Sequence, residues 1–203
     1  MYILAKIACV LVTHLPVKAE LQRQPELRKR PVVVITELKR RSLVLDFSTQ
    51  AKGIEEGMSP QEVLSICTEA VLLKSDTRYY HSVFEGMIAD LLQKSPAVEK
   101  GSMGCAFVNI HGLQHMYTSK INLIGALLNA VPSELEPRVG IGHSKFHSYI
   151  GAMSIGPSQY IEVPEDVPRV LRKKSVNLLP ISLTSRDRLK RFGIHTMGQI
   201  ASL

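Results

Sequence analysis

The spacing of apolar and polar residues changes period along the chain, and each change marks an element. Residues 3–12 (Ile-Leu-Ala-Lys-Ile-Ala-Cys-Val-Leu-Val) are almost continuously apolar over a strand's length, the pattern of a strand buried on both faces. Pro16 to Gln24 reads as a short helix, and Pro31 ends the basic turn after it. Pro31–Ile35 and Ser42–Phe47 form a candidate hairpin around the charged loop 37–41. Gly53 and Gly57 mark turns, and Ser59-Pro60-x-Glu62 opens a helix running to about Cys67, with proline at its first position.

The longest helix runs from Asp76 or Thr77 to Lys94, where Tyr80, Val83, Phe84, Met87, Ile88, Leu91 and Leu92 recur at helical spacing. Met103–Ile110 is a strand, with His111-Gly112 as its turn. Ser119 caps a helix carrying Ile121, Ile124, Leu127, Leu128 and Val131, which Pro132 ends. Arg138–Gly142 is a further strand, and Ser144 opens a helix to about Met153. Strands alternating with helices in this way predict an α/β layer. Pro157–Pro168 reads as a connector, beyond which the chain turns basic and helical. Thr184 caps a helix through Leu189 and Phe192, Gly193 stops it, and Thr196 caps a second through Ile200 and Leu203. This tail suggests half of a helix-hairpin-helix arrangement.

Composition narrows the class. With 45% apolar and 21% charged residues, the 203-residue chain is an ordinary globular sequence of one or two domains rather than a disordered or collagen-like one. No apolar run approaches the roughly 18 residues of a membrane span. The first residues lack the order of a signal peptide, since Lys6 interrupts the apolar stretch. The expected location is the cytoplasm. Cys9, Cys67 and Cys105 are too few and too scattered for a disulfide framework or a Cys-x-x-Cys zinc site.

The placement of charge says more than its total. Between Arg169 and Arg191 lie eight Lys or Arg residues and one acid, Asp187, a net +7 equal to the excess of the whole chain. Arg28-Lys29-Arg30 and Lys39-Arg40-Arg41 are further basic runs. Clustered cations are the footprint of phosphate contacts, and equally the ordinary solvated surface of a soluble protein.

Five segments in order resemble one family, the Y-family translesion (UmuC/DinB-like) DNA polymerases. Gln24 through Val34 looks like its "PELRGRPVVV", and Ala51 through Ser59 like "ARKFGVRSGMP". Ser102 through Ile110 looks like "SIDEAYLDV", Val139 through Lys145 like "VGIGPNK", and Leu189 through Ala201 like the first thumb repeat "LKKLGIRTIGDLA". The resemblance covers essentially the whole chain. It implies an α/β (α+β) fold: a palm over 1–13 and 73–163, an inserted small fingers subdomain over 14–72, and the start of a helical thumb over 164–203. On that division no residues are left for the family's fourth, little-finger domain, which is expected to be absent from these 203 residues.

The same resemblance implies chemistry that this sequence lacks. The family holds two Mg²⁺ ions with carboxylates from the first strand and from the Asp-Glu pair of "SIDEA", since a hard cation needs oxygen ligands. Here those positions fall on Leu11, Gly104 and Cys105, with Thr13 at a neighbouring acid, and no Asp or Glu occurs between Met1 and Ala19. The family's Tyr, Arg and Lys that grip the triphosphate fall on Phe47, Gln50 and Gly156, none of which carries charge. Asp46, Asp90 and Glu99 are the acids that could substitute. The expectation is therefore an inactive homologue, with no catalytic, nucleotide-binding or metal-binding residues and no cofactor, Mg²⁺ entering only if a divergent polymerase retains substituted ligands.

Ala8 through Ala19, and Leu179-Pro180 through Ala201, look like the non-catalytic ImuB-type mutasome proteins of that family. That likeness implies a scaffold for DNA repair and SOS-type mutagenesis. It would bridge a sliding clamp, an error-prone C-family polymerase and a RecA-like protein, through regions beyond residue 203. DNA is expected to be held weakly through its backbone by Arg172, Lys173, Lys174, Arg186, Arg188, Lys190 and Arg191. The thumb's phosphate-binding "PGIG" turn is replaced by Ile181-Ser182-Leu183, which weakens the case for duplex binding there. His111/His115 and His143/His147 have i, i+4 spacing without a third ligand, and Gly140-x-Gly142 lacks the rest of a dinucleotide fingerprint.

Overall fold

The computed structural model describes residues 6–38, 40–113, 116–164, 171–179, 181 and 183–202. Two sheets organise these residues. The larger has the order β5-β6-β1-β7-β8, built from β1 (Ile7–Leu11), β5 (Val98–Lys100), β6 (Cys105–Asn109), β7 (Arg138–Gly142) and β8 (Tyr160–Glu162). β1 is central and antiparallel to both neighbours, so Leu11 lies opposite Cys105 on one side and Arg138 on the other. Its apolar run is what a strand covered on both faces requires.

Helices cover both faces of this sheet. α3 (Thr77–Leu92) and α4 (Lys120–Asn129) bury Phe84, Met87, Leu91, Ile124 and Leu127 against Ala8, Val10, Val12, Val108 and Ile141. The alternate β1 positions, Cys9 and Leu11, face α5 (Lys145–Met153) instead. α5 can lie this close to the sheet because of Gly140, where an ideal Cβ would stand 2.0 Å from the Ser148 carbonyl oxygen.

The second sheet has the order β3-β2-β4. β2 (Val32–Leu38) and β3 (Arg41–Phe47) make the expected hairpin, with an irregularity between Val34 and Ile35, and β4 (Val71–Lys74) pairs parallel to β2. α1 (Leu15–Arg23) joins the two sheets. Its Val17 and Ala19 pack in one cluster with Val32, Val34 and Tyr80. At that junction the Tyr80 hydroxyl donates to Glu20 Oε1 at 2.8 Å, and Glu20 is only 3% exposed.

The helix-start signals hold at α2 (Pro60–Ile66), α3, α4 and α5, where Ser59, Asp76, Ser119 and Ser144 accept from the backbone of the first turn. Several expectations need correction. The segment 157–168 is not only a connector, because β8 pairs parallel to β7 along the sheet edge. The strands β4 and β5 have no periodicity long enough to read. The expected palm–fingers boundary at 72/73 falls inside β4. The strand expected from Met103 begins at Cys105, with residues 102–104 in a turn. In the tail, α6 spans Leu183–Arg191, so Thr184 lies inside the helix rather than capping it, and Gly193 follows with φ +73°. α7 spans Met197–Ile200, capped by Thr196 as expected. Residues 3–5, Lys39, His115, 165–170, Pro180, Ser182 and Leu203 lie outside the described residues.

The α1–α3 junction is open to test. Tyr80→Phe removes the donor to a buried carboxylate and should destabilise the chain by about 1–3 kcal/mol in urea unfolding. A loss within error would show that Glu20 is satisfied without Tyr80.

Candidate functional site

A cleft of about 480 Å³ opens between the two sheets. The β1–α1 turn supplies Thr13 and His14, α1 supplies Val17 and Lys18, the end of β3 supplies Phe47 to Gln50, and the segment before and into β7 supplies Ser133, Glu134, Glu136 and Arg138. Met153, at the end of α5, also lines it.

His14 sits in the left-handed region (φ 55°) as α1 begins, which turns its ring toward β3. Its Nδ1 lies 2.6 Å from Asp46 Oδ1, and its ring stands at a tilt 5.4 Å from that of Phe47. The remaining capacity of Asp46 is taken up locally, since Val17 N–H donates to Oδ2 at 3.1 Å and Phe47 N–H to Oδ1 at 2.9 Å. The hydrogen bond to Asp46 raises the pKa of His14 above its ordinary 6.5, against the effect of burial. Lys18 Nζ, its side chain 11% exposed, pairs with Glu136 Oε2 at 3.0 Å, and burial lowers its pKa. Glu56, on the turn after β3, has its pKa raised by burial and feels the charges of Arg186, Asp46 and His14.

Beside the cleft, the positions that the sequence singled out for chemistry are apolar and packed together. Leu11 and Cys105 are cross-strand partners and share a buried cluster with Cys9 and Ala152, against which Tyr149 and Met153 pack. Cys9 Sγ lies 3.6 Å from Cys105 Sγ, and that contact and burial raise the pKa of the Cys9 thiol. Gly104 adopts φ +80°, and an ideal Cβ there would stand 2.4 Å from the Val12 carbonyl oxygen. The turn is closed by Val12 N–H donating to the Gly104 carbonyl at 2.8 Å. No side chain fits this backbone without a shift.

The other expected positions are dispersed. Gln50 donates through Nε2 to the Arg28 carbonyl at 3.1 Å, and the Gly156 N–H donates to Gln159 Oε1 at 3.1 Å. Of the possible substitute acids, Asp46 is engaged as described, Asp90 is exposed on α3, and Glu99 on β5 pairs with Lys145. His143 precedes α5 while His147 lies within it, so they do not share a helical face. Among the described residues there is no group of three or more His, Cys, Asp or Glu placed to hold a metal ion, and no helix long and apolar enough to cross a membrane.

The basic tail is partly gathered. The Met197 and Gly198 N–H groups donate to the Lys174 and Arg172 carbonyls, holding residues 172–174 against the start of α7. Arg172, Lys173, Arg188, Lys190 and Arg191 are exposed, and Lys174 is half-buried. Arg186 differs from them: its Nε is shielded, and its charge is felt by Glu56 and by Tyr149 of α5. The sequence reading missed His14, Lys18, Glu136 and Arg138, which meet only through the fold. The one local hint is the break of the apolar run at Thr13-His14, just before Leu15-Pro16.

Comparison with known proteins places this geometry. The model of the impB/mucB/samB family matches residues 12–152. A DNA polymerase IV of Dehalococcoides mccartyi is 26% identical over 193 residues, covering 92% of this chain and 50% of the relative. One from Pelotomaculum thermopropionicum is 25% identical over 185 residues, covering 88% and 46%. The chain thus spans about half the length of the curated relatives it matches. Among solved structures, DinB from Sulfolobus solfataricus superposes with TM-score 0.75 at 19% identity, covering 98% of this chain and 60% of that one. The insertion ternary complex of Dbh DNA polymerase gives 0.76 at 18%, with the same coverages. The fold is therefore that of the palm-containing part of the Y-family polymerases. The Mg²⁺ ions that this fold family implies do not fit the residues at the positions that the sequence resemblance assigns to their ligands: Leu11 and Gly104 offer no side-chain ligand, and Cys105 offers a soft, buried thiol.

Two measurements check this site. Gly104→Ala should cost about 3 kcal/mol or more, because strain and a backbone clash combine, whereas Gly112→Ala, also at φ +80° but with open space around it, should cost only about 1 kcal/mol. Equal losses in chemical denaturation would show that the turn at Gly104 can relax. The raised pKa of His14 stabilises the fold fully below about pH 6.5, and that stabilisation is lost as pH rises through the higher folded value. As pH rises above about 6.5, stability of the native chain should thus fall more steeply than that of His14→Asn, and parallel curves would remove His14 as the titrating group.

Proposed function

The chain belongs to the impB/mucB/samB family, and from that premise we propose that it is a non-catalytic, polymerase-like scaffold of DNA repair. The observation that carries this reading is the apolar cluster of Leu11, Cys105 and Cys9 with the side-chain-excluding turn at Gly104, where the resemblance places the metal-binding carboxylates. Phosphoryl transfer in such a fold depends almost wholly on metal and cationic stabilisation of developing charge. Phe47, Gln50 and Gly156 supply none of the second kind. A preserved fold whose centre has become apolar is best used to bind.

DNA is the first partner. The exposed Arg172, Lys173, Arg188, Lys190 and Arg191 would meet phosphates without reading bases, with Lys174 beside them and Arg186 held further in. By likeness to the ImuB-type proteins, the protein partners would be a sliding clamp, an error-prone C-family polymerase and a RecA-like protein, in SOS-type mutagenesis. A divergent active polymerase is the second reading, favoured by the relatives named DNA polymerase IV. It requires a divalent ion held near Leu11 and Cys105.

The readings separate in two assays. Anisotropy of labelled primer–template should report binding that weakens steeply between about 50 and 200 mM salt, and is unchanged by Mg²⁺ with dNTP. Replacing Arg188, Lys190 and Arg191 with Gln should flatten that salt dependence. Mn²⁺ added to the isotope-labelled chain should leave the Leu11 and Cys105 amide signals unbroadened. Selective broadening there, or dNTP-dependent primer extension, would favour the enzyme and overturn the scaffold.

A further inference from the structure

We propose that Cys9 and Cys105 form a binding site for a soft divalent cation of the zinc and cadmium class, at the place where the resemblance puts the ligands of a hard one. The two residues lie diagonally across the β1–β6 ladder, because Cys9 pairs with Phe107 and Leu11 with Cys105. Both belong to the cluster under α5, and their sulfurs stand 3.6 Å apart. An ion about 2.3 Å from each sulfur would subtend an angle of about 100° across that gap, close to tetrahedral. The pair can therefore span such an ion with both strands in place.

Further donors stand on α5. Tyr149 and Met153 pack against the same cluster. The Tyr149 phenol feels the charges of both cysteines, and a thioether such as that of Met153 is a soft ligand that accompanies thiolates. The two cysteines supply only half of a four-ligand shell, and these two side chains complete it. They also give the way in. Cys9 and Cys105 are buried, but Tyr149 and Met153 are half-buried and Met153 lines the cleft. On the other side, Cys105 Sγ lies beside exposed Gly101, where an ideal Cβ would stand 3.1 Å from it.

Charge selects the ion. Burial and the contact with Cys105 hold the Cys9 thiol in its protonated form, so as thiols the pair is neutral. When a divalent ion binds, each S–H bond breaks, both protons go to solvent, and the two thiolates neutralise the two positive charges. A monovalent soft ion would leave a negative charge buried, which is costly, and a hard ion such as Mg²⁺ gains little from sulfur. Arg186, whose charge reaches Tyr149, disfavours any surplus of positive charge. The site needs neither carboxylates nor DNA. It therefore goes beyond the scaffold reading and can fail without it.

Cadmium is the probe. Added to the reduced 203-residue chain, one Cd²⁺ per chain should give thiolate-to-metal charge-transfer absorption that excess Mg²⁺ leaves in place. Cys9→Ala and Cys105→Ala should each weaken binding by about tenfold or more, with circular dichroism unchanged, whereas Cys67→Ala should bind as the unaltered chain does. The proposal is overturned by absence of the band, by its displacement with Mg²⁺, by its loss in Cys67→Ala, or by undiminished affinity in a folded Cys105→Ala chain. Should the alanine variants at 9 and 105 not fold, cadmium-113 NMR of the unaltered chain decides. Scalar coupling must reach the β-protons of both Cys9 and Cys105, and coupling confined to Cys67 rejects the site.

Discussion

β1 has a strand on each edge and helices against both faces, so Cys9, Val10 and Leu11 meet only protein. Burying an ionised carboxylate in such surroundings is costly unless a cation or several donors compensate it. Leu11 and Cys105 meet that constraint by being apolar or weakly polar, and the space between β1, β6 and α5 fills with Ala152, Tyr149 and Met153. The close approach of α5 over Gly140 is what brings those side chains onto the sheet. It also holds Met153 at the rim of the cleft, where the charged residues begin.

Charge is thereby displaced rather than removed. The apolar centre borders a cleft whose acids and bases are partnered across long stretches of chain: His14 with Asp46, Lys18 with Glu136. Both pairs tie α1 to something else, β3 in one case and the segment before β7 in the other. α1 is therefore the element whose position the electrostatics set most directly, while Tyr80 and Glu20 anchor its opposite side on α3.

Much of the fold was legible in the sequence because the long elements carry their own signals. The 3.6-residue spacing from Tyr80 to Leu91 gives α3, the capping residues Ser59, Asp76, Ser119 and Ser144 locate four helix starts, and the apolar runs Val32–Ile35 and Leu43–Phe47 give the β2–β3 hairpin. Strands of three or four residues, such as β4, β5 and β8, are too short for a period to declare itself. They exist because a neighbour offers a free edge. Absence of acids from the first strand was equally plain. The way in which Gly104 is absorbed into a tight turn was not, since the expected strand ran through it. The cleft's charged residues were invisible for a different reason: Lys18 and Glu136, or His14 and Asp46, become neighbours only after both sheets have formed.

The turn at Gly104 has a consequence for how such a chain can change over time. A substitution that placed an acid at residue 104 would meet the Val12 carbonyl before its carboxyl group could reach any ion. Accepting one there requires the turn between residues 101 and 105 to be rebuilt first, with no benefit until the rebuilding is complete. At Leu11 and Cys105, which lie in regular strands, the obstacle is burial, whereas at Gly104 it is the backbone itself. The backbone, more than the side chains around it, limits what this centre can accept.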